Sequence, residues 1–132
     1  MHTTNIPDLL ILPPDDCRAV AKVPDRPDSV AGRQYAMLAD APYARTSDDV
    51  LWSVAADRAD VPEADRAAHR TAFFSRGQAC FRASPLVKTH GWAIHADGQG
   101  RIALLDPDGP DCAALIADAA VTKRSGMRSK RV

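Results

Sequence analysis

The sequence predicts an α+β domain, with a short antiparallel sheet of three or four strands and three to four helices packed on at least one face. Three observations carry that expectation. An Asp97-Gly98-Gln99-Gly100 turn joins two apolar stretches in the C-terminal third, and caps with helical spacing fill the middle of the chain. The strands cluster late rather than alternating with helices, which argues against βαβ units and a parallel sheet.

Taken in order, Leu9 to Leu12 is a short apolar run that reads as a strand, closed by Pro13-Pro14 because two ladder donors are lost there. Asp15 to Pro27 carries charges and two further prolines and reads as a surface connection. Asp28 or Ser29 caps a helix to about Ala39, and Pro42 ends it. Thr46-Ser47-Asp48-Asp49 offers caps and first-turn acids to a second helix, with Val50, Leu51, Val54 and Ala55 at helical spacing. Pro62 suits a first helical position, so a third helix should run to about Ser75. Cys80 to Ala83 reads as a strand broken by Pro85. The hairpin follows: Gly91 to Ala96 and Arg101 to Leu105, with glycines supplying the positive backbone angles of a tight turn. Gly109-Pro110 opens a last helix carrying Cys112, Leu115 and Ile116 on one stripe.

Composition narrows the class. A chain of 132 residues with 45% hydrophobic content suits one domain with its own core. No apolar run is long enough for a membrane span and no secretory signal opens the chain, so a cytoplasmic protein is expected. Three widely spaced cysteines, Cys17, Cys80 and Cys112, fit reduced thiols better than a disulfide framework or a closed zinc site. Basic and acidic residues balance at 17 each, but Lys123, Arg124, Arg128, Lys130 and Arg131 put five cations at the end. The rest then holds 12 basic and 17 acidic residues, a net of −5. The reading is a domain over 1–121 with a basic tail over 122–132, poorly ordered or docked on the acidic side of the second helix (Asp49, Asp57, Asp60). An acidic body disfavours a nucleic-acid-binding domain.

Several stretches resemble one family. They are Thr46-Ser47-Asp48-Asp49-Val50-Leu51, Phe74-Ser75-Arg76-Gly77-Gln78, Arg82-Ala83-Ser84-Pro85-Leu86, Gly91-Trp92 with His95, and Met127-Arg128-Ser129-Lys130-Arg131. Together they are similar to domain of unknown function 6157, and the likeness runs over nearly the whole chain. It departs at Pro13-Pro14, where the family pattern is usually apolar. The resemblance implies no activity.

The candidate site gathers around the hairpin. Under either plausible turn register Trp92 and Ile94 share a face with Ala103 and Leu105, and His95 shares the other with Ala93, Ile102 and Leu104. His95 would be desolvated and neutral, either a general base or a core histidine bonded to a backbone carbonyl. Arg82, Ser84, Lys88, His90, Trp92 and His95 are expected to line a pocket between sheet and helices. Those residue types suit an anionic small molecule, with the bland alternative a solvated polar loop. A second reading is an enzyme with His95 as base and Arg82 or Lys88 holding substrate charge. A third is non-specific nucleic-acid contact through the tail. Cys80 is either a nucleophile or a small buried hydrophobe. His90, His95 and Asp97 lack a further strong ligand for zinc, and no metal or cofactor is assigned.

Overall fold

The computed structural model describes residues 2–18 and 20–128. Leu9–Leu12 form strand β1, which stops at Pro13 as the missing donors require. Helix α1 is Val30–Asp40, begun by Ser29, whose hydroxyl accepts the Gly32 N–H at 3.0 Å. Arg45–Thr46 make a two-residue strand, β2, and lead directly into α2, Ser47–Arg58. A capping box opens α2: the Thr46 hydroxyl accepts the Asp49 N–H, and the Asp49 carboxylate accepts the Thr46 N–H. Pro62 precedes a 3₁₀ turn, Glu63–Asp65, and α3 follows over Arg66–Phe73.

The stretch expected as a strand at Cys80–Ala83 is instead a 3₁₀ turn, Phe81–Ala83. Ser84 then caps a one-turn helix, α4 (Pro85–Lys88), so Pro85 starts an element rather than breaking one. Phe81, Leu86 and Val87 are all buried, because this compact turn feeds three apolar side chains into the core. Strands β3 (Ala93–Ala96) and β4 (Arg101–Leu105) form the hairpin, α5 is Pro110–Ala117, and β5 is Thr122–Ser125.

The sheet has five strands in the order β2-β4-β3-β1-β5. It is mixed, since β5 runs parallel to β1 while the other pairs are antiparallel. The extra strands are β2, too short to show a pattern, and β5, which lies in the stretch expected as a tail. Residues 122–128 therefore belong to the fold: Thr122 N–H donates to the Asp8 carbonyl (2.8 Å), Gly126 N–H to that of Leu12 (2.7 Å) and Met127 N–H to that of Arg82 (2.7 Å). Arg128 pairs with Asp15, whereas Asp49 and Asp57 are engaged by Arg70 and Arg66, so the expected docking on α2 does not occur among the described residues. Lys130 and Arg131 lie outside the described residues.

The hairpin register differs from the expected one. Ile94 pairs with Leu104, His95 with Ala103 and Ala96 with Ile102. The loop is three residues, Gly98 to Gly100, an odd count where both expected registers are even. Asp97 accepts the Gly100 N–H on its carbonyl and the Gln99 and Arg101 N–H groups on Oδ1, while Gly100 takes φ +78°. This is the type I turn with a left-handed third position that three-residue hairpins use. One added loop residue changes the parity of the facing strand. Ile94, Ala96, Ile102 and Leu104 thus join Leu9 and Ile11 in the main core beneath α1, α2 and α4. Ala93 joins Leu10, Cys112 and Val121 in a smaller core beneath α5.

Candidate functional site

On the main-core face a partly enclosed cavity of about 190 Å³ opens between the sheet, the N-terminal segment and the turn at Cys80–Arg82. Leu9, Ile11, Ile94, Ala96 and Ile102 make its floor, with Phe81 in the wall. Cross-strand pairing sets these side chains in two rows. Ile94 and Arg124 flank Ile11, and Ala96 and Thr122 flank Leu9. Arg124 therefore rises from the edge strand at one end of the cavity, and Arg82 stands beside it, its Nε donating to the Ser125 carbonyl at 2.7 Å.

Thr4 and Ile6 wall the cavity on the other side. Asp48 holds that segment down. Its Oδ1 accepts the Thr4 N–H (2.7 Å) and hydroxyl (2.6 Å), its Oδ2 accepts the Thr3 hydroxyl (2.6 Å), and its own N–H donates to Asn5 Oδ1 (2.9 Å). His2 adds a backbone bond to Phe74. The first residues are thus a strap fastened to the start of α2, not the frayed end their polarity suggests. A 44-residue separation between partners hides this from any local pattern.

Of the six residues expected to line a shared pocket, Arg82 alone lines this cavity. Ser84 is buried, donating to Gln34 Oε1 (2.6 Å) and accepting the Leu86 N–H (3.1 Å), and so serves as a cap and core hydrogen bond. Lys88 ends α4. His90 Nδ1 donates to the Pro85 carbonyl at 3.0 Å. Trp92 packs on the main core with its ring 5.7 Å from Tyr35 and donates Nε1–H to the Lys22 carbonyl.

His95 lies on the opposite sheet face, paired with Leu10 and Ala103. Its Nδ1 is 2.7 Å from the Tyr43 hydroxyl, and the two rings meet edge to face at 5.5 Å. Burial lowers the His95 pKa, against the opposing pull of the Asp97 and Asp8 carboxylates. Burial likewise raises that of Tyr43, with Asp97 and Asp111 adding to it. In the neutral imidazole the Tyr43 hydroxyl donates to Nδ1 when the ring proton sits on Nε2, and accepts from Nδ1–H in the other tautomer. Tyr43 sits at φ +58°, a left-handed angle uncommon for an aromatic residue. The sheet separates His95 from Arg82, so the pairing of those two in one active centre does not form.

Cys80 is half-buried at the cavity, and Cys112 is fully buried as core, its thiol pKa raised by burial first and by Asp106 and Asp108 after it. Arg124, absent from the expected set, is the residue sequence reasoning missed. Its signal was the Thr122–Ser125 stretch, read as tail. Among the described residues no three His, Cys, Asp or Glu side chains gather as a metal site requires, and no helix is long and apolar enough to cross a membrane.

An α+β chain with a five-stranded mixed sheet and an apolar cavity beside an arginine pair is the class this geometry defines. The chain belongs to a family of unknown function, DUF6157, whose pattern it matches over residues 1–132. No curated protein and no solved structure matches it.

Proposed function

We propose that this protein is a small ligand-binding module that holds an anionic small molecule in the cavity between the sheet and the N-terminal strap. One observation carries the reading: two guanidinium groups, Arg82 and Arg124, line a cavity whose floor is otherwise aliphatic, and among the described residues neither is ion-paired. Guanidinium is the side chain best suited to hold an oxyanion through two parallel hydrogen bonds. The proposal includes a cytoplasmic setting, motivated by the spacing of the cysteines.

A thermal-shift screen of carboxylated and phosphorylated metabolites tests it, with sodium chloride at matched ionic strength as control. A ligand at a hundred times its Kd adds about 2.7 kcal/mol. For a chain of this length that is a rise of roughly 8–12 °C. If no anion raises the melting temperature beyond the salt control, the reading fails. Catalysis at His95 is a weaker second reading, favoured by the Tyr43 bond and the left-handed Tyr43 backbone alone.

A further inference from the structure

We infer that the ligand is an amphipathic monocarboxylate, with an aryl or short branched aliphatic body in the cavity and its carboxylate between Arg82 and Arg124. This rests on the ligand-binding reading and narrows it to a chemical class.

The interior is apolar in effect as well as in composition. Two of its polar lining residues, Thr4 and Ser47, satisfy each other: the Thr4 hydroxyl donates to Asp48 Oδ1 and lies 2.8 Å from Ser47 Oγ. Those two hydroxyls ask nothing of a ligand, and Thr122, exposed beside Leu9, supplies the other hydroxyl of the lining. A compact, strongly hydrated anion such as phosphate would leave that interior unfilled, and a polyol would bury hydroxyls without partners. Volume bounds the body. A dry cavity of about 150 Å³ takes benzene, so about 190 Å³ takes a phenyl ring or a five-carbon branched chain.

Charge is confined to one end. Arg124 flanks Ile11 and Thr122 flanks Leu9, two residues along the strand, so the floor extends roughly 7 Å from the arginine row to the next at 3.3 Å per residue. Each guanidinium has five N–H groups. Arg82 uses its Nε on the Ser125 carbonyl, and Arg124 uses one Nη1 contact on that of Lys123, which leaves most donors for an oxyanion. Ile6 lines the cavity yet is 51% exposed, an aliphatic wall with one open side that a ligand body would cover.

The experiment titrates the full chain, isotopically labelled, with benzoate, 3-methylbutanoate, benzamide and inorganic phosphate, following amide and methyl shifts by NMR. Benzoate or 3-methylbutanoate should saturate, moving the methyls of Ile11, Ile94 and Ile102. Benzamide, the same body without charge, should bind at least tenfold more weakly, and phosphate should leave those methyls unmoved. Arg124→Gln, at an exposed edge position, should weaken the carboxylates at least tenfold while leaving the melting temperature near that of the parent. Phosphate binding at the arginines as tightly as benzoate would overturn the monocarboxylate class but keep an anion-binding module. Equal binding of benzamide and benzoate would overturn the role of charge. An unchanged benzoate affinity in Arg124→Gln would overturn the arginine rim. No saturable shift from any probe would overturn both the class and the reading beneath it.

Discussion

Asp48 ties the N-terminal strap to the body, so Asp48→Ala should be among the costliest single changes to a charged residue. The carboxylate belongs to a residue only 8% exposed and accepts three hydrogen bonds from Thr3 and Thr4, at 2.6–2.7 Å. After truncation the Thr4 hydroxyl keeps Ser47 Oγ as a partner, but the Thr4 N–H, on a residue 7% exposed, is left without an acceptor. An orphaned buried donor costs about 1–3 kcal/mol. Removing an acid from the first turn of α2 adds about 0.3–1 kcal/mol. The sum is about 1.3–4 kcal/mol, or a fall of roughly 4–16 °C in melting temperature for a chain of this length. Asp48→Asn retains an acceptor at Oδ1 and should lose only about 1 kcal/mol. Urea unfolding of both variants, with Thr4→Val completing a double-mutant cycle, measures the coupling directly, and it should exceed about 1 kcal/mol. If Asp48→Ala melts within about 2 °C of the parent, the strap is not held as described and the cavity loses a wall.

Two further outcomes follow from single positions. A Cβ on Gly32 would lie 2.1 Å from the Arg26 carbonyl oxygen, a backbone atom. Gly32→Ala should therefore destabilise the protein in chemical denaturation, against the gain of about 1 kcal/mol that helix propensity alone predicts; a stabilised variant would refute the close approach. His95 binds its proton less readily folded than unfolded, because burial lowers its pKa from 6.5. The unfolded chain then holds more protons in that range, so stability rises with pH there. Melting temperature should fall as pH drops below about 6.5 and level off beneath the folded-state value. His95→Gln should flatten the slope, and a parallel pair of curves from pH 5.5 to 7.5 would place the imidazole in solvent.

Legibility followed the range of the interactions. The Ser29 cap, the Thr46–Asp49 capping box and the end of β1 at Pro13 are settled within four residues, and all were readable from the chain. Strand β5 was not. Its side chains are charged and mostly exposed, so no alternation marks it, and its order comes from backbone groups on β1 more than a hundred residues earlier. The turn at Phe81–Ala83 was misread for a related reason. Cys80, Phe81 and Ala83 satisfy an apolar strand pattern, but Ser84 is occupied as the cap of α4, and the chain shortens to deliver Phe81 inward. The strap escaped notice because Thr3, Thr4 and Asn5 look like any polar terminus until Asp48 is placed beside them.

The cavity floor turned on a single parity. An even-numbered turn would have set Ile102 and Leu104 on the His95 face of the sheet. The Gly100 left-handed position adds one residue to the loop and rotates β4 by a full face. Ile102 then floors the cavity with Ile94, while His95 turns to Tyr43 on the far side. What remains under the strap is an aliphatic floor, and among the described residues the charges that reach it rise from β5 and the Phe81–Ala83 turn, as Arg124 and Arg82. Arg82 is tied to that strand through the Ser125 carbonyl and Arg124 belongs to it, so the arginine rim depends on the same edge strand that closes the sheet. Losing β5 should then unmake the anion site and the fold together. A chain ending at Val121 cannot serve to separate binding from folding, whereas Arg124→Gln, which leaves the backbone of β5 intact, can.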